Sequence, residues 1–128
     1  MNLPPRELRH GSITIRIGAQ GGHAVAFEGV LREQDDGAWL RGVVAEVHHA
    51  AVTQRMQELM VDLRALEYCN ATAWKCFVEW VRVLRHDPEA HYLLRVVSNP
   101  EHRWQAVGMS ALRVFGGDRL VIEGRSGK

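Results

Sequence analysis

The sequence predicts an α/β domain, and three patterns in it support that prediction. Apolar residues alternate with polar ones near the amino terminus, which is typical of a half-buried strand. A nearly continuous apolar run at residues 59–63 indicates a strand buried on both faces. Longer segments with apolar residues at helical spacing separate the later strands. The resulting order, β-β-α-β-α-β-α-β, predicts a mixed, mostly parallel sheet with the helices mainly on one face.

The length and composition of the chain favour one ordinary globular domain. It has 128 residues, of which 46% are apolar and 24% charged, and this excludes a disordered chain or a collagen-like repeat. We expect an irregular lead-in at residues 1–11, the domain at residues 12–124 and a polar tail at residues 125–128.

Charge and hydropathy argue against two classes of partner. Sixteen Lys and Arg residues against fifteen Asp and Glu leave a formal net charge of +1, so we expect no binding to nucleic acid or to an anionic membrane. No apolar stretch approaches the roughly 20 residues that cross a bilayer, and the first residues lack the apolar segment of a signal peptide. Cys69 and Cys76 do not form a disulfide framework. We therefore expect a cytoplasmic protein.

Two strands near the amino terminus are predicted to form a hairpin. Ile13, Ile15 and Ile17 alternate with polar residues, and residues 24–31 form a second apolar segment. The glycine-rich residues 18–22 between them suit a turn. They are not a Walker-type phosphate-binding loop, which needs Gly-Lys-Ser/Thr leading into a helix.

The first two long helices have clear starts. Asp35-Asp36-Gly37 suits a helix start, because the helix dipole favours carboxylates there. Asn70 suits the N-cap of a helix over residues 71–85. The apolar stripes of the two helices are Leu40, Val43, Val44, Val47 and Ala51 in the first, and Ala73, Phe77, Trp80, Val81 and Leu84 in the second.

The remaining elements complete the alternation. Asp87-Pro88 ends the second helix, and residues 92–97 are predicted to form a strand. Asn99-Pro100 suits the start of a third helix that ends at Gly116-Gly117, and residues 120–122 form the last strand. The predicted buried stripe of this third helix is Trp104, Val107, Gly108, Ala111 and Phe115.

Three segments carry a resemblance to a known family. Residues 61–74 consist of a buried strand with Asp62-Leu63, a short turn, and Asn-Ala-Thr-Ala opening a helix. This pattern resembles the STAS domain, the fold of bacterial anti-sigma factor antagonists. The segment at 99–105 is similar to the family's segment after the fourth strand, and residues 46–51 resemble a subgroup of bacterial STAS-like regulators. The resemblance covers roughly residues 12–124.

The resemblance implies a phosphorylation switch that this sequence alters. In the family, the first Ser after the Asp or Asn accepts a phosphate from a kinase related to histidine-kinase ATPases. A phosphatase removes the phosphate, and its presence decides which partner is bound. Ala71 stands at that position and has no hydroxyl group. Three explanations stay open: a natural member that is not phosphorylated there, an engineered Ser-to-Ala change, or a shift of phosphorylation to Thr72.

The resemblance and the physics of helix ends together predict a docking surface. The first turn of a helix has unpaired N–H groups and about +0.5 charge, so it can receive an anion or a partner's carbonyl group. With Ala71, this turn presents a small uncharged surface, as in the family's unphosphorylated, partner-binding state. The predicted partner is a kinase-type anti-sigma factor or a related regulator. The predicted contact residues are Tyr68, Cys69, Asn70, Ala71, Thr72, Trp74, Glu101 and Trp104.

The sequence favours a protein that is not an enzyme and holds no cofactor or metal. His48 and His49 are adjacent on a helix and point about 100° apart, so they do not readily share one ion. Cys69, near a helix start, suits a reactive thiol, but no partner base is recognisable, and a buried thiol is the preferred interpretation. Asp62 is interpreted as a structural carboxylate.

Two alternatives come from other classes of protein. A small-ligand or lipid-binding module on the same fold would have a closed apolar pocket under the first long helix. A structural subunit of a signalling assembly, including a homo-oligomer, would be recognised by its size in solution.

Overall fold

The computed structural model of the chain describes residues 2–125, which form one six-stranded sheet and four helices. The strands are β1 (Arg6–His10), β2 (Ile13–Gly18), β3 (Ala24–Leu31), β4 (Glu58–Cys69), β5 (Leu93–Ser98) and β6 (Leu120–Gly124). The helices are α1 (Ala19–Gly22), a single irregular turn, α2 (Asp36–Thr53), α3 (Ala71–His86) and α4 (Arg103–Gly116), and a 3-10 turn follows at Gly117–Arg119.

Strand order in the sheet follows chain order, β1-β2-β3-β4-β5-β6. The first two pairings are antiparallel and the next three are parallel. Each of the three crossovers moves one strand in the same direction, so right-handed connections put α2, α3 and α4 on one face of the sheet. Accordingly, α2 packs against α3, and α3 packs against α4. The predicted α/β class with a mixed, mostly parallel sheet is confirmed.

The hydrophobic core lies between the sheet and this helix layer. The predicted stripes of α2 and α3 are buried throughout, which confirms both helix faces. The strands contribute one side chain in two, as half-covered strands require. The largest buried side chains of the core include Ile13, Ile15, Phe27, Leu59, Leu63, Trp80 and Leu84.

The prediction of an irregular lead-in at residues 1–11 is wrong for Arg6–His10, which form β1, whereas residues 2–5 belong to no helix or strand. β1 pairs with β2 across the register Arg6↔Ile17 to His10↔Ile13. Leu3 is only 2% exposed, and its N–H donates to the carbonyl of Gly22 at 2.9 Å. The alternation signal is missing because an edge strand directs one weakly buried apolar side chain, Leu8, toward the core.

The lead-in also explains a glycine of the hairpin turn. Gly18 has φ of +83°, and a Cβ there would lie 2.6 Å from the carbonyl oxygen of Leu3. Only glycine tolerates both the backbone conformation and the close approach.

Strand β4 is longer than predicted, because residues 64–69 continue the strand and do not form a turn. The pairing with β3 shifts register between Ala26 and Glu28 and again between Gly29 and Val30. Each shift disrupts the period of two by which a strand is recognised in a sequence. The longer strand brings Tyr68 and Cys69 to the carboxyl edge of the sheet.

Helix α4 begins at Arg103, three residues after the predicted start at Pro100. The Asn99 side chain accepts a hydrogen bond from the N–H of Glu101 at 2.9 Å and donates one to the carbonyl of Arg64 at 3.2 Å. A local bond of this kind favours a turn over a helix.

The predicted buried stripe of α4 is also wrong. Val107 is 76% exposed and Phe115 38% exposed, although both belong to the predicted stripe. The buried residues of the helix are instead Gln105, Met109, Leu112 and Gly116.

The open face of the sheet carries ion pairs. Arg16 contacts Glu7 at 3.3 Å and Glu28 at 3.1 Å, and Arg95 contacts Glu58 at 2.6 Å. Charged side chains are rarely fully buried, so these ion pairs keep this face of the sheet in contact with solvent. Within residues 2–125, none of the helices combines the length and apolar character that crossing a membrane requires.

Asp62 on this face is held by its neighbour Arg64, in agreement with a structural role. Arg64 donates to the Asp62 carboxylate from its guanidinium at 2.7 and 2.9 Å and from its backbone N–H at 3.1 Å. Burial alone would raise the pKa of Asp62, but these hydrogen bonds and the Arg64 charge together lower that pKa below its usual value.

The lowered pKa predicts a contribution of Asp62 to acid unfolding. A carboxyl group whose pKa is lower in the folded state stabilises the fold above its unfolded pKa of about 4, and this stabilisation is lost as the pH falls through the folded pKa. We expect Asp62→Asn to reduce the free energy of unfolding at neutral pH and to flatten its decline at acid pH. Urea unfolding at a series of pH values measures the free energy of unfolding of both proteins. If that free energy falls as steeply with acid pH in Asp62→Asn as in the unaltered protein, the prediction is contradicted.

Candidate docking surface at the amino end of α3

Asn70 joins three chain segments at the carboxyl edge of the sheet. Its side-chain oxygen accepts a hydrogen bond from the N–H of Ala73 at 2.8 Å, so the predicted N-cap is confirmed. Its backbone N–H donates to the carbonyl of Leu31 at 2.8 Å, and its amide nitrogen donates to the carbonyl of Glu33 at 3.4 Å. The start of α3 is therefore tied to the end of β3 and to the loop that enters α2.

The first turn of α3 is open and uncharged. Ala71 and Thr72 are exposed, whereas Ala73 is buried beneath them. The turn contains no acidic side chain, and the only cap bond comes from the neutral amide of Asn70. Ala71 and Thr72 are thus accessible to a partner, as a docking surface requires.

Two tryptophans connect this turn to α4. The rings of Trp74 and Trp104 meet edge to face, with centroids 5.6 Å apart. The indole N–H of Trp104 donates to the carbonyl of Glu67 at 2.7 Å, and that of Trp74 to the carbonyl of Gly108 at 3.2 Å. A Cβ at Gly108 would lie 2.6 Å from the Trp74 ring, so glycine is needed for this contact. Trp74 is therefore half-buried and positions α4.

The predicted contact residues divide into a surface and its support. Tyr68 is 46% exposed, and Glu101 is exposed in the loop before α4. Cys69 lies in the core, where burial raises the pKa of its thiol to about 12, so the thiol is neutral at physiological pH. We define the α3 docking surface as Tyr68, Asn70, Ala71, Thr72, Glu101 and Trp104.

Sequence reasoning missed the buried amide that fixes this region. Gln105 is fully enclosed; its Nε2 donates to the carbonyls of Leu63 at 2.7 Å and Leu66 at 2.9 Å, and its Oε1 accepts from the N–H of Asn99 at 2.8 Å. The two carbonyls belong to the part of β4 where the register shifts. A polar residue beside an apolar stripe is ordinary in a surface helix, so the sequence contains no signal for this role.

A second cluster missed from the sequence lies at the start of α2. His10 Nδ1 is 3.0 Å from a carboxylate oxygen of Asp36, and His10 Nε2 is 3.5 Å from one of Asp35. The three side chains are close enough to share a metal ion. However, each imidazole nitrogen already faces a carboxylate, the ring stacks on Trp39, and the other Asp36 oxygen accepts from the N–H of Glu33 at 2.8 Å. The cluster joins β1 to α2, and this arrangement is that of a structural polar contact.

The paired histidines of α2 point to different surroundings, as predicted. His48 is half-buried and bonds to Tyr92 and Asp87, whereas His49 is exposed.

In a comparison of the chain with known proteins, no family model matches it, and no match is found among curated proteins.

Proposed function

We propose that the chain is a non-catalytic regulatory domain, similar to STAS-type anti-sigma factor antagonists, that binds a partner protein through the α3 docking surface. The supporting observation is the exposed, uncharged first turn at Ala71 and Thr72, with the exposed Tyr68 two residues before the cap and Trp104 packed on Trp74 of the same turn. Unpaired N–H groups at such a turn can donate hydrogen bonds to carbonyl or carboxylate groups of a partner. Tyr and Trp are enriched among the residues that dominate binding energy at protein interfaces.

The proposed partner is a kinase-type anti-sigma factor or a related ATPase regulator, as the STAS resemblance implies. Ala71 keeps the surface without a phosphate, so binding does not depend on a phosphatase at this position. Competition for the shared partner would then release whatever that partner otherwise holds. The rigid cap at Asn70 and the Gln105 contacts support this mode, because a preformed surface loses little entropy on binding.

A photo-crosslinking amino acid at position 72 tests the proposal in native cells. We expect it to capture an ATPase of the histidine-kinase type, identified by mass spectrometry. The matched control places the crosslinker at Thr53, an exposed threonine at the other end of the helix layer, and should not capture that protein. Equal capture from both positions, or capture of a protein of another class from position 72 alone, would contradict the proposal.

A charge at the same position provides the affinity measurement. With the captured ATPase purified, Thr72→Glu should weaken binding at least tenfold, because it adds a negative charge next to residue 71, the position at which the family's phosphate blocks docking. Thr53→Glu should leave the affinity within twofold. The first change keeps the helix stable, since a carboxylate at a helix amino end is favourable.

Restoring the hydroxyl should restore phosphorylation. Incubated with the captured kinase and ATP, Ala71→Ser should be labelled at residue 71, and the Ala71 protein should remain unlabelled. Phosphosite mapping by mass spectrometry distinguishes the two positions. Equal labelling of both proteins at Thr72 would contradict the view that the surface is permanently free of phosphate.

A further inference from the structure

A groove runs along the outer side of the contact between α2 and α3. Its volume is about 560 Å³, within the approximate range of 300–1,000 Å³ that small-molecule sites occupy. The first turns of the two helices lie side by side. A hydrogen bond joins them, in which the Cys76 thiol donates to the carbonyl of Gly37 at 3.2 Å. Equivalent positions of α2 and α3 therefore face each other along the groove.

The walls and the far end of the groove are apolar. Val44, Cys76 and Trp80 are buried in its floor, and Val83 is 42% exposed at its carboxyl end. Burial raises the pKa of the Cys76 thiol, which keeps it neutral. His48 also lines this end, but its Nδ1 is 2.6 Å from the Tyr92 hydroxyl and its Nε2 is 2.9 Å from Asp87. Both ring nitrogens are occupied, so this end offers a ligand no polar partner from His48.

The amino end of the groove carries two cations. Arg41 and Lys75 are exposed, and among residues 2–125 neither makes an ion pair. Glu79, the acidic residue of the lining, contacts Arg82 at 3.4 Å. The groove is thus positive at one end, apolar along its length and without an unpaired carboxylate among its described lining residues.

We propose that this groove binds a small amphipathic carboxylate, with the carboxylate between Arg41 and Lys75 and the hydrocarbon tail over Val44 and Trp80 toward Val83. Charge complementarity selects an anion over a neutral lipid, and the apolar floor selects a hydrocarbon tail over a bare anion. From Arg41 to His48 the helix rises about 10 Å, which suits a medium-length acyl chain. A partner helix of average length, three turns or more, would extend beyond both ends. The inference is independent of docking at the α3 docking surface.

Titration of the whole protein with decanoate, followed by NMR and calorimetry, tests the site. We expect saturable binding with shifts at Val44, Ala45 and Val83, and at least tenfold weaker binding to Arg41→Gln/Lys75→Gln. The matched control, Arg103→Gln/Arg113→Gln, removes two exposed cations of α4 and should bind within twofold of the unaltered protein. All four replaced side chains are exposed, so both double variants should fold.

Four further probes separate the alternative occupants. Decanol, acetate, vesicles containing anionic phospholipid and a glutamate-rich helical peptide should each bind at least tenfold more weakly than decanoate. Equal binding of decanol would remove the role of the two cations, and preferential binding of the vesicles would assign the cations to a membrane surface. Either of these two results would overturn the proposal. Unchanged decanoate binding by Arg41→Gln/Lys75→Gln would also overturn it, and so would tighter binding of a glutamate-rich helical peptide than of decanoate.

Discussion

Replacing Gln105 with leucine should lower the free energy of unfolding by about 3 kcal/mol, although the substitution makes α4 more apolar. The side chain of Gln105 satisfies the carbonyls of Leu63 and Leu66 and the N–H of Asn99 inside the core. A buried polar group that loses its partner costs about 1–3 kcal/mol, so several at once outweigh the gain from a buried methyl group. A loss of this size corresponds to a fall in Tm of about 10 °C in a domain of this length.

Thermal and urea unfolding of two leucine variants measure the effect. Gln34→Leu is the matched control, because Gln34 is exposed in the loop before α2, and its Tm should change by less than 2 °C, as is usual for surface changes. Gln105→Glu should be at least as damaging as Gln105→Leu, since a carboxylate cannot donate to the two carbonyls. Equal Tm values for Gln34→Leu and Gln105→Leu would contradict the role assigned to Gln105.

Removing the Tyr92 hydroxyl should destabilise the protein by about 2 kcal/mol. Trp80 donates its indole N–H to the Tyr92 oxygen at 2.8 Å, and both side chains are buried. The Tyr92 hydroxyl hydrogen is then available for His48 Nδ1, which leaves the Nε2–H of His48 to donate to Asp87. Tyr92→Phe orphans the buried Trp80 N–H, whereas His48 is partly exposed and can bond to water.

Tyr68→Phe is the matched control for this prediction. Tyr68 is exposed, so its hydroxyl is solvated in both the folded and unfolded states and its loss should cost less than 0.5 kcal/mol. A double-mutant cycle with Trp80→Phe should give a coupling of about 1 kcal/mol, because losing both partners leaves no orphaned donor. Additive losses would mean that the indole and the hydroxyl do not interact.

The hydrogen bonds that link Trp80, Tyr92, His48 and Asp87 also affect the chemistry of the groove between α2 and α3. Burial raises the pKa of Tyr92 well above its usual range, and the hydrogen bond from His48 lowers the pKa of Asp87. Tyr92 therefore stays protonated and Asp87 ionised at neutral pH. In these states the Tyr92 hydroxyl can donate to His48 Nδ1 while the Nε2–H of His48 donates to Asp87, so each of these groups has a partner. Any ligand in the groove meets a fixed histidine with no free nitrogen.

The sequence predicted those features that depend on short-range periodicity. The stripes of α2 and α3, the cap at Asn70 and strand β3 were recognisable, because each is set by residues three or four positions apart or by simple alternation. The parallel part of the sheet followed from the alternation of those elements. The exposure of Ala71 and Thr72 also agrees with a helix that buries only the side opposite to them.

Tertiary structure alone decided the features that depend on distant residues. β1 is a strand because β2 offers it an unpaired edge, and its own five residues contain too little apolar pattern to indicate one. The buried face of α4 is set by the carbonyls of Leu63 and Leu66 in β4, about 40 positions earlier in the chain. Their hydrogen bonds to the Gln105 amide turn Gln105 into the core, and Val107 and Phe115 remain exposed. Buried backbone groups must be satisfied wherever the fold places them, and this requirement overrides the local periodicity of a helix.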